Sequence, residues 1–320
     1  MAKPSVTYSV HWDTRMEEEE EWLASQMQFA HLLDEIPEPS LEEEEVEHKR
    51  SLALGVFDEE HNVRTPGAVG QKDRAPTAPA IGAIVRAACE KYDISITNLL
   101  DIGSGPHGRM VGELLPEQAR DSAVQMDINT EAVRTNRALH PSAAGKILAG
   151  SYFRLQELFH GKTFSTVTGL SCLDCTFHVR KALESIVRSL EIGGTFLHVQ
   201  DVGPSDSVIA AYAQRKLSPL FIAPLTGKFM QNAPAMLRDP VTEKFRYMTD
   251  FFREILQAAL EATPQLEILT NNYVVAEAEG FDQQNDNMYL HGIDLMNPGN
   301  NESEPKYRAM ALVTVARRKT

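Results

Sequence analysis

The residues best suited to chemistry lie in a glycine-rich segment at positions 99–108. In order they are Leu99, Leu100, Asp101, Ile102, Gly103, Ser104, Gly105, Pro106, His107 and Gly108. An apolar run followed by glycines predicts a strand, a tight turn and the start of a helix. Glycines at 103 and 105 let the backbone approach a ligand where a Cβ atom would collide. Two classes of nucleotide-cofactor site use such a turn, and they support different chemistry.

The residue before the turn separates the two classes. The glycines at 103, 105 and 108 fit the G-x-G-x-x-G pattern of dinucleotide sites. Such sites normally have an apolar residue two positions before the first glycine, where this sequence has Asp101. A carboxylate there repels a pyrophosphate but attracts a cofactor with a sulfonium and a free ammonium group. The segment therefore resembles motif I of the class I S-adenosylmethionine (SAM)-dependent methyltransferases, whose usual form is hydrophobic-Asp-x-Gly-x-Gly.

This resemblance implies roles for the residues that match the motif. In that family the acid and the glycine turn hold the methionine end of SAM, and the matching positions here are Asp101, Gly103, Ser104 and Gly105. The family's commonest form has a third glycine where this chain has His107. Two interpretations of His107 stay open, because it either faces the cofactor or substrate or only caps the helix. The full G-x-G-x-x-G match is interpreted as an accident of the next residue being glycine.

A second acid ends the next predicted strand. Asp127 lies 26 residues after Asp101, a distance that a helix and a strand span. The resemblance implies that Asp127 accepts hydrogen bonds from both ribose hydroxyls of SAM and that Ile128 also contacts the cofactor. Asp127 also suits the N-cap of the helix that begins at Thr130, which is compatible with that role.

The third and fourth strands supply further predicted cofactor contacts. Many family members carry an acid that binds the adenine amine where this chain has Ser151. Ser151 or a backbone carbonyl would replace that contact, and Tyr152 either stacks on the purine or belongs to the core. After the fourth strand, Ser171 and Leu173 are predicted to line the cofactor, with Leu173 packing on the adenosine. The segment lacks the Asn-Pro-Pro-aromatic signature of nucleobase amino methyltransferases.

The candidate catalytic residues follow from the chemistry of methyl transfer. Transfer from a sulfonium is an in-line displacement, so the enzyme mainly aligns and desolvates the acceptor. A hydroxyl or protonated amine acceptor also needs a base, for which we predict His178, Asp174 and Asp201. An ordinary surface helix start explains His178 and Asp174 equally well. His291 is a further candidate, His198 is interpreted as a core residue, and no metal is predicted.

Composition limits the partners. The 320 residues carry a formal net charge of −14, with glutamate runs at 17–21 and 42–45. An acidic chain repels phosphate backbones, so we expect no nucleic-acid substrate. We also expect a cytoplasmic location, because neither a signal peptide nor a membrane span is evident and the chain has only three cysteines. A homodimer is a candidate assembly.

The elements that position these residues alternate along the chain. Predicted strands cover residues 98–102, 122–127, 146–149, 165–170 and 195–200, followed by two closing strands at 265–276 and 308–316. Predicted helices cover residues 77–92, 108–119, 130–139, 152–159, 177–190 and 242–262. Short apolar strands alternating with helices predict a doubly wound parallel sheet. Five such units, a helix and two closing strands that could pair antiparallel are the layout of class I methyltransferases.

These observations predict an α/β fold with a seven-stranded Rossmann-like methyltransferase sheet and helices on both faces. Residues 76–320 would form the SAM-binding domain, with a helical extension at 1–75 and a helical insert at 203–240 as lids over the acceptor pocket. The predicted function is methyl transfer from SAM to oxygen or nitrogen of a small organic molecule, for example a natural-product intermediate, which leaves S-adenosylhomocysteine. An NAD(P)-dependent oxidoreductase and a SAM-binding protein that does not methylate are the alternatives.

Overall fold

The computed structural model describes residues 7–12, 78–173, 176, 178–201, 236–238, 245–278 and 308–320. Its strands are β1 (Tyr8–Trp12), β2 (Leu99–Ile102), β3 (Val124–Asp127), β4 (Ile147–Ala149), β5 (Phe164–Leu170), β6 (Leu190–Asp201), β7 (Met236–Arg238), β8 (Phe245–Tyr247), β9 (Leu266–Ala278) and β10 (Arg308–Arg318). Its α-helices are α1 (Ala78–Lys91), α2 (Ala119–Ser122), α3 (Thr130–Leu139), α4 (Leu155–Leu158), α5 (Val179–Ser189) and α6 (Met248–Glu261). A π-helix covers Met110–Leu114, and 3-10 helices cover Pro141–Lys146 and Tyr152–Arg154.

One sheet organises these elements. Eight strands lie in the order β1-β9-β10-β6-β5-β2-β3-β4, and β7 and β8 pair separately. The five strands from β2 to β6 run parallel, whereas β10 pairs antiparallel with both β6 and β9. The order from β9 to β4 is that of the class I methyltransferase sheet, which confirms the predicted fold class. Because β2 pairs with both β3 and β5, the strand order reverses there, and the carboxyl end of β2 is where such sheets bind ligands.

Apolar side chains cover both faces of the sheet. In β2, Leu99 packs in one buried cluster with α1 and the π-helix, whereas Leu100 packs in the other with α5 and α6. Consecutive strand residues point to opposite faces, so the uninterrupted apolar character of the short strands reflects burial on both sides. The prediction of helices on both faces is therefore confirmed.

In the described part of the chain, the sheet has eight strands rather than the predicted seven. The additional strand β1 pairs antiparallel with β9, within the extension that the sequence analysis expected to be helical. Its burial alternates, with Tyr8, Val10 and Trp12 turned inward and the two residues between them exposed. The Trp12 ring packs edge-on against Tyr92 with centroids 5.4 Å apart. The Nζ atom of Lys91 lies 3.9 Å from the Trp12 ring centroid, so α1 helps to hold this edge strand.

Four local predictions differ from the structure. The helix after the glycine turn is only a π-helix, because Leu115 precedes a proline and adopts an extended conformation. The helix predicted at 242–262 begins at Met248, and the aromatic segment before it forms β8 with its partner β7. Strand β6 begins at Leu190, and its register against β5 jumps from Leu190 to Thr195. Strand β7 lies within the insert that was predicted to be helical. The remainder of the expected lids, at residues 1–6, 13–75, 203–235 and 239–240, lies outside the described residues.

No helix in the described part of the chain combines the length and the apolar character needed to cross a membrane.

Candidate functional site

The glycine turn lies at the carboxyl end of β2 and has a backbone that only glycine adopts easily. Gly103 and Gly105 have φ values of +65° and +63°. A Cβ atom on Gly103 would lie 2.4 Å from the Cβ atom of Cys172, which is closer than two non-bonded carbon atoms approach each other. The predicted need for glycine at both positions therefore has a local physical cause.

Gly108 is also required, which corrects the interpretation of the third glycine as an accident. Its φ is +57°, and a Cβ atom there would lie 2.2 Å from Oε1 of Gln125 and 3.1 Å from Nδ2 of Asn136. The third glycine of a G-x-G-x-x-G turn commonly serves close packing between helix and strand, as it does here against β3 and α3. The pattern thus reports packing and does not by itself identify a cofactor.

Asp101 is a buried carboxyl group with one oxygen unsatisfied. It has no exposed surface, and its Oδ1 atom accepts a hydrogen bond of 3.1 Å from the Thr168 hydroxyl on β5. The Oδ2 atom has no hydrogen-bond partner among the described residues. Burial raises the pKa of Asp101 from 3.8 to about 8, the Thr168 bond opposes this rise, and the nearby charge of Asp127 adds to it. A cation close to the carboxyl group would lower this pKa.

Asp127 connects the end of β3 to the glycine turn. It is half-buried, its Oδ2 atom accepts the Gly105 N–H at 2.8 Å and its Oδ1 atom accepts the Asn129 N–H at 2.8 Å. Burial raises the pKa of Asp127, and these backbone hydrogen bonds work against the rise. Asn129, rather than Asp127, is the N-cap of α3. Because each carboxylate oxygen accepts more than one hydrogen bond, the ribose role predicted for Asp127 is compatible with both contacts.

His107 has an exposed side chain at the outer side of the turn. Its carbonyl oxygen accepts a hydrogen bond of 3.2 Å from Nε2 of His140. The N-cap position of the π-helix belongs to Arg109. His107 is thus not the N-cap residue of this helix, and its contact with the cofactor or substrate stays a prediction.

The residues after β4 form a small capped turn. Ser151 is the N-cap of the 3-10 helix, where its hydroxyl accepts the Phe153 N–H at 3.3 Å. Tyr152 is half-buried, packs against the core and meets the Phe153 ring at 61° with centroids 4.8 Å apart. This packing favours the core interpretation of Tyr152. Ile128, also predicted to contact the cofactor, is half-buried at the end of β3.

The segment after β5 shows one strained and one fully buried residue. Ser171 has a φ of +47°, unusual for a residue with a side chain, and its N–H bonds to the Val199 carbonyl at 2.9 Å. Strained backbone of this kind is frequent at functional sites. Leu173 has no exposed surface and lies in the core cluster on the α5 side of the sheet. This burial favours a packing role for Leu173, and its contact with the adenosine stays a prediction.

Of the three predicted catalytic residues, the structure describes one side chain. His178 precedes α5, is 5% exposed and donates its backbone N–H to the Thr176 hydroxyl at 2.9 Å. Asp174 and the side chain of Asp201 lie outside the described residues, as does His291. Among the residues that are described, no group of three or more acids, histidines and cysteines could hold a metal ion.

His198 is fully buried in β6, as its interpretation as a core residue requires. Its ring stacks against that of Phe196 at an angle of 27°, with centroids 6.1 Å apart. Burial lowers the pKa of His198 to about 3 and keeps the imidazole neutral.

Sequence reasoning missed the polar side chains that support the turn from behind. Thr168 meets Asp101 from the adjacent strand, and Asn136 and Gln125 hydrogen-bond to each other beside Gly108. The signal for Asn136 was present, since it follows the buried Ala132 and Val133 of α3 at helical spacing. The cross-strand contact of Thr168 becomes evident only from the strand register.

Comparisons with known proteins give fold-level likenesses. No protein-family model matches the chain, and no curated protein matches it. The chain is similar to a solved complex between the Haloferax volcanii Trm112 methyltransferase activator and the putative methyltransferase, at 13% identity over 78% of this chain and 94% of that one, with a TM-score of 0.43. It is also similar to a putative methyltransferase from Bacillus halodurans C-125, at 13% identity over 74% and 100% of the two chains, with a TM-score of 0.39. A SAM-dependent methyltransferase from Clostridium acetobutylicum ATCC 824 is similar at 10% identity over 75% and 91%, with a TM-score of 0.38.

Proposed function

We propose that this protein is a SAM-dependent methyltransferase that acts on oxygen or nitrogen of a small organic molecule. The observation that carries the proposal is the glycine turn at the reversal point of the sheet, with Asp101 before it and Asp127 beside it. Two carboxyl groups at one turn favour a ligand with positive charge, and burial raises the pKa of both. A dinucleotide pyrophosphate would add negative charge to the same place.

Three features of the turn support SAM as its ligand. Gly103 and Gly105 hold the turn in a backbone conformation with positive φ, and Oδ2 of Asp101 is a buried acceptor without a hydrogen-bond partner among the described residues. The hydroxyl oxygen of Ser104 is likewise buried without a hydrogen-bond partner among the described residues. Because Asp101 has no exposed surface, it would act on the cofactor's ammonium group through its charge. Asp127 would bind the ribose hydroxyls, and Ile128, Ser151, Tyr152 and Ser171 remain proposed contacts.

When bound, SAM supplies a methyl group on a sulfonium, which is a strong leaving group. The chain then has to align the acceptor, exclude water and, for a hydroxyl or ammonium acceptor, remove a proton. His178 is our candidate for the base that removes that proton, and Asp174 and Asp201 are proposed as alternative bases. The segments 1–75 and 203–240 are proposed to cover the acceptor.

A small-molecule acceptor is supported by charge. At a net charge of −14 the chain repels polyanions, which disfavours a nucleic-acid substrate. The proposal also includes a cytoplasmic location and a homodimer as a candidate assembly.

Isothermal titration calorimetry with SAM, S-adenosylhomocysteine, NAD and NADP tests the cofactor. We expect binding of the first two ligands and none of the dinucleotides. Tight binding of NAD or NADP without a response to S-adenosylhomocysteine would refute the proposal in favour of an oxidoreductase. If SAM binds but no methyl group is transferred in a broad acceptor screen, the protein is a SAM-binding protein of another kind.

A further inference from the structure

Asn136 is a fully buried polar residue that the proposed chemistry does not use. It lies on α3, where its Nδ2 atom donates to Oε1 of Gln125 at 3.0 Å and to the carbonyl of Gly105 at 3.3 Å. Its Oδ1 atom has no hydrogen-bond partner among the described residues. Burial of an amide costs free energy that its hydrogen bonds must offset. A helix that needed only packing here would favour an apolar residue, so the amide indicates a specific task.

The backbone N–H group of Gly105, like its carbonyl group, is held by a side chain. Its N–H donates to Oδ2 of Asp127 at 2.8 Å, while Oδ1 of Asp127 accepts the Asn129 N–H. Asn129 in turn caps α3 by accepting the backbone N–H groups of its first turn. The contacts form a closed ring from Gly105 through Asp127, Asn129 and α3 to Asn136, and back to Gly105.

The same amide explains why position 108 must be glycine. The pair of Gln125 and Asn136 occupies the space that a side chain at Gly108 would need. Two positions of the turn, Gly105 and Gly108, are thus fitted to Asn136, one by a hydrogen bond and one by close packing.

We propose that Asn136 is a positioning residue for the cofactor. It fixes the peptide after Gly105 relative to Asp127, so that the turn and the acid proposed for the ribose keep one relative geometry. This inference depends on the proposed function. Glycine at a positive φ has several alternative conformations of similar energy, and fixing it beforehand removes that ordering cost from binding.

The test compares Asn136→Ala with a matched control. Asn271→Ala removes another buried asparagine, which lies on β9. Its side chain hydrogen-bonds to Gln257 on α6 and to Thr314 on β10, and among the described residues no hydrogen bond joins it to the turn. We expect Asn136→Ala to weaken S-adenosylhomocysteine binding by roughly fivefold or more, the equivalent of one lost hydrogen bond. Asn271→Ala should leave the affinity within twofold of wild type at a comparable loss of thermal stability. Hydrogen exchange at the Gly105 amide should speed up in Asn136→Ala only.

Different results would overturn the positioning role of Asn136 and the proposed function. Equal affinity of wild type and Asn136→Ala, or an equal loss in both variants, would overturn the positioning role. If Asn136→Ala does not fold, Asn136→Ser, which keeps a small polar group, carries the same comparison. A wild-type chain that binds neither SAM nor S-adenosylhomocysteine would overturn the proposed function itself, and that result is recognised before any variant is made.

Discussion

Replacement of Asp101 by asparagine should remove a large pH dependence of stability. The pKa of Asp101 rises from 3.8 to about 8 on folding, chiefly because burial disfavours the charged form. Between these values the folded chain holds a proton that the unfolded chain has lost, so stability falls as pH rises. Each pKa unit corresponds to about 1.4 kcal/mol, which gives a loss of roughly 3–4 kcal/mol between pH 5 and pH 8. The stability that neutral Asp101 retains is fully present below pH 3.8 and is lost as pH passes 8.

Asparagine keeps the shape of the side chain and an oxygen that accepts from Thr168, but it does not titrate. Urea unfolding of wild type and Asp101→Asn at pH 5, 6, 7 and 8 isolates this group, because the other titrations are shared. We expect the difference in the free energy of unfolding to change by roughly 1 kcal/mol per pH unit, in favour of the variant as pH rises.

This account of Asp101 would be refuted if the free energies of unfolding of wild type and Asp101→Asn differed by the same amount at every pH. Such a result would mean that the carboxyl group is already ionised in the folded chain and that a cation or water solvates Oδ2.

Three further predictions concern the turn and the carboxyl end of the chain. Asp127→Ala should weaken SAM binding by about 1–3 kcal/mol in calorimetry through the loss of charge-assisted hydrogen bonds, and unchanged affinity would contradict its ribose role. Gly103→Ala should lower the free energy of unfolding by about 2–4 kcal/mol, since it combines a positive φ with a clash against Cys172, and Cys172→Gly should restore part of that loss. Alanine at residues 317–319 together should cost about 1–3 kcal/mol in urea unfolding, because their side chains donate to carbonyls at or near the ends of three helices. Arg134→Ala, which removes only an exposed ion pair, is the control and should cost less than about 0.5 kcal/mol.

The sheet was predictable where local signals mark both ends of an element. Helix α3 occupies the predicted residues 130–139, because the Asn129 side chain caps its first turn and Pro141 follows its last. The parallel strands are short apolar runs bounded by polar residues or glycine, and this composition suffices to find them. The right-handed crossover of each strand–helix–strand unit then limits the face on which each helix packs, whereas the order of the strands is seen only in the structure.

Elements that depend on a distant partner were not predictable. Strand β1 is stabilised by pairing with β9, more than 250 residues later, and its five residues give no signal of that partner. Strand β8 is only three residues long, and its residues continue the amphipathic pattern of α6, so the sequence predicts them as part of that helix. At the site, both acids were identified from their places at strand ends, whereas the contact of Asn136 with Gly105 requires the docking of α3 on β3.

The burial of Asp101 is unfavourable for folding and therefore calls for a functional explanation. A carboxyl group without exposed surface, with an unsatisfied oxygen and a second acid close by, destabilises the folded chain above pH 3.8. Violations of this kind persist where a ligand compensates them. A ligand that brings positive charge to the turn would lower the pKa of Asp101 and bind more tightly as pH rises, whereas a pyrophosphate would raise that pKa and bind less tightly. The electrostatics of the turn therefore support the cationic cofactor that we propose.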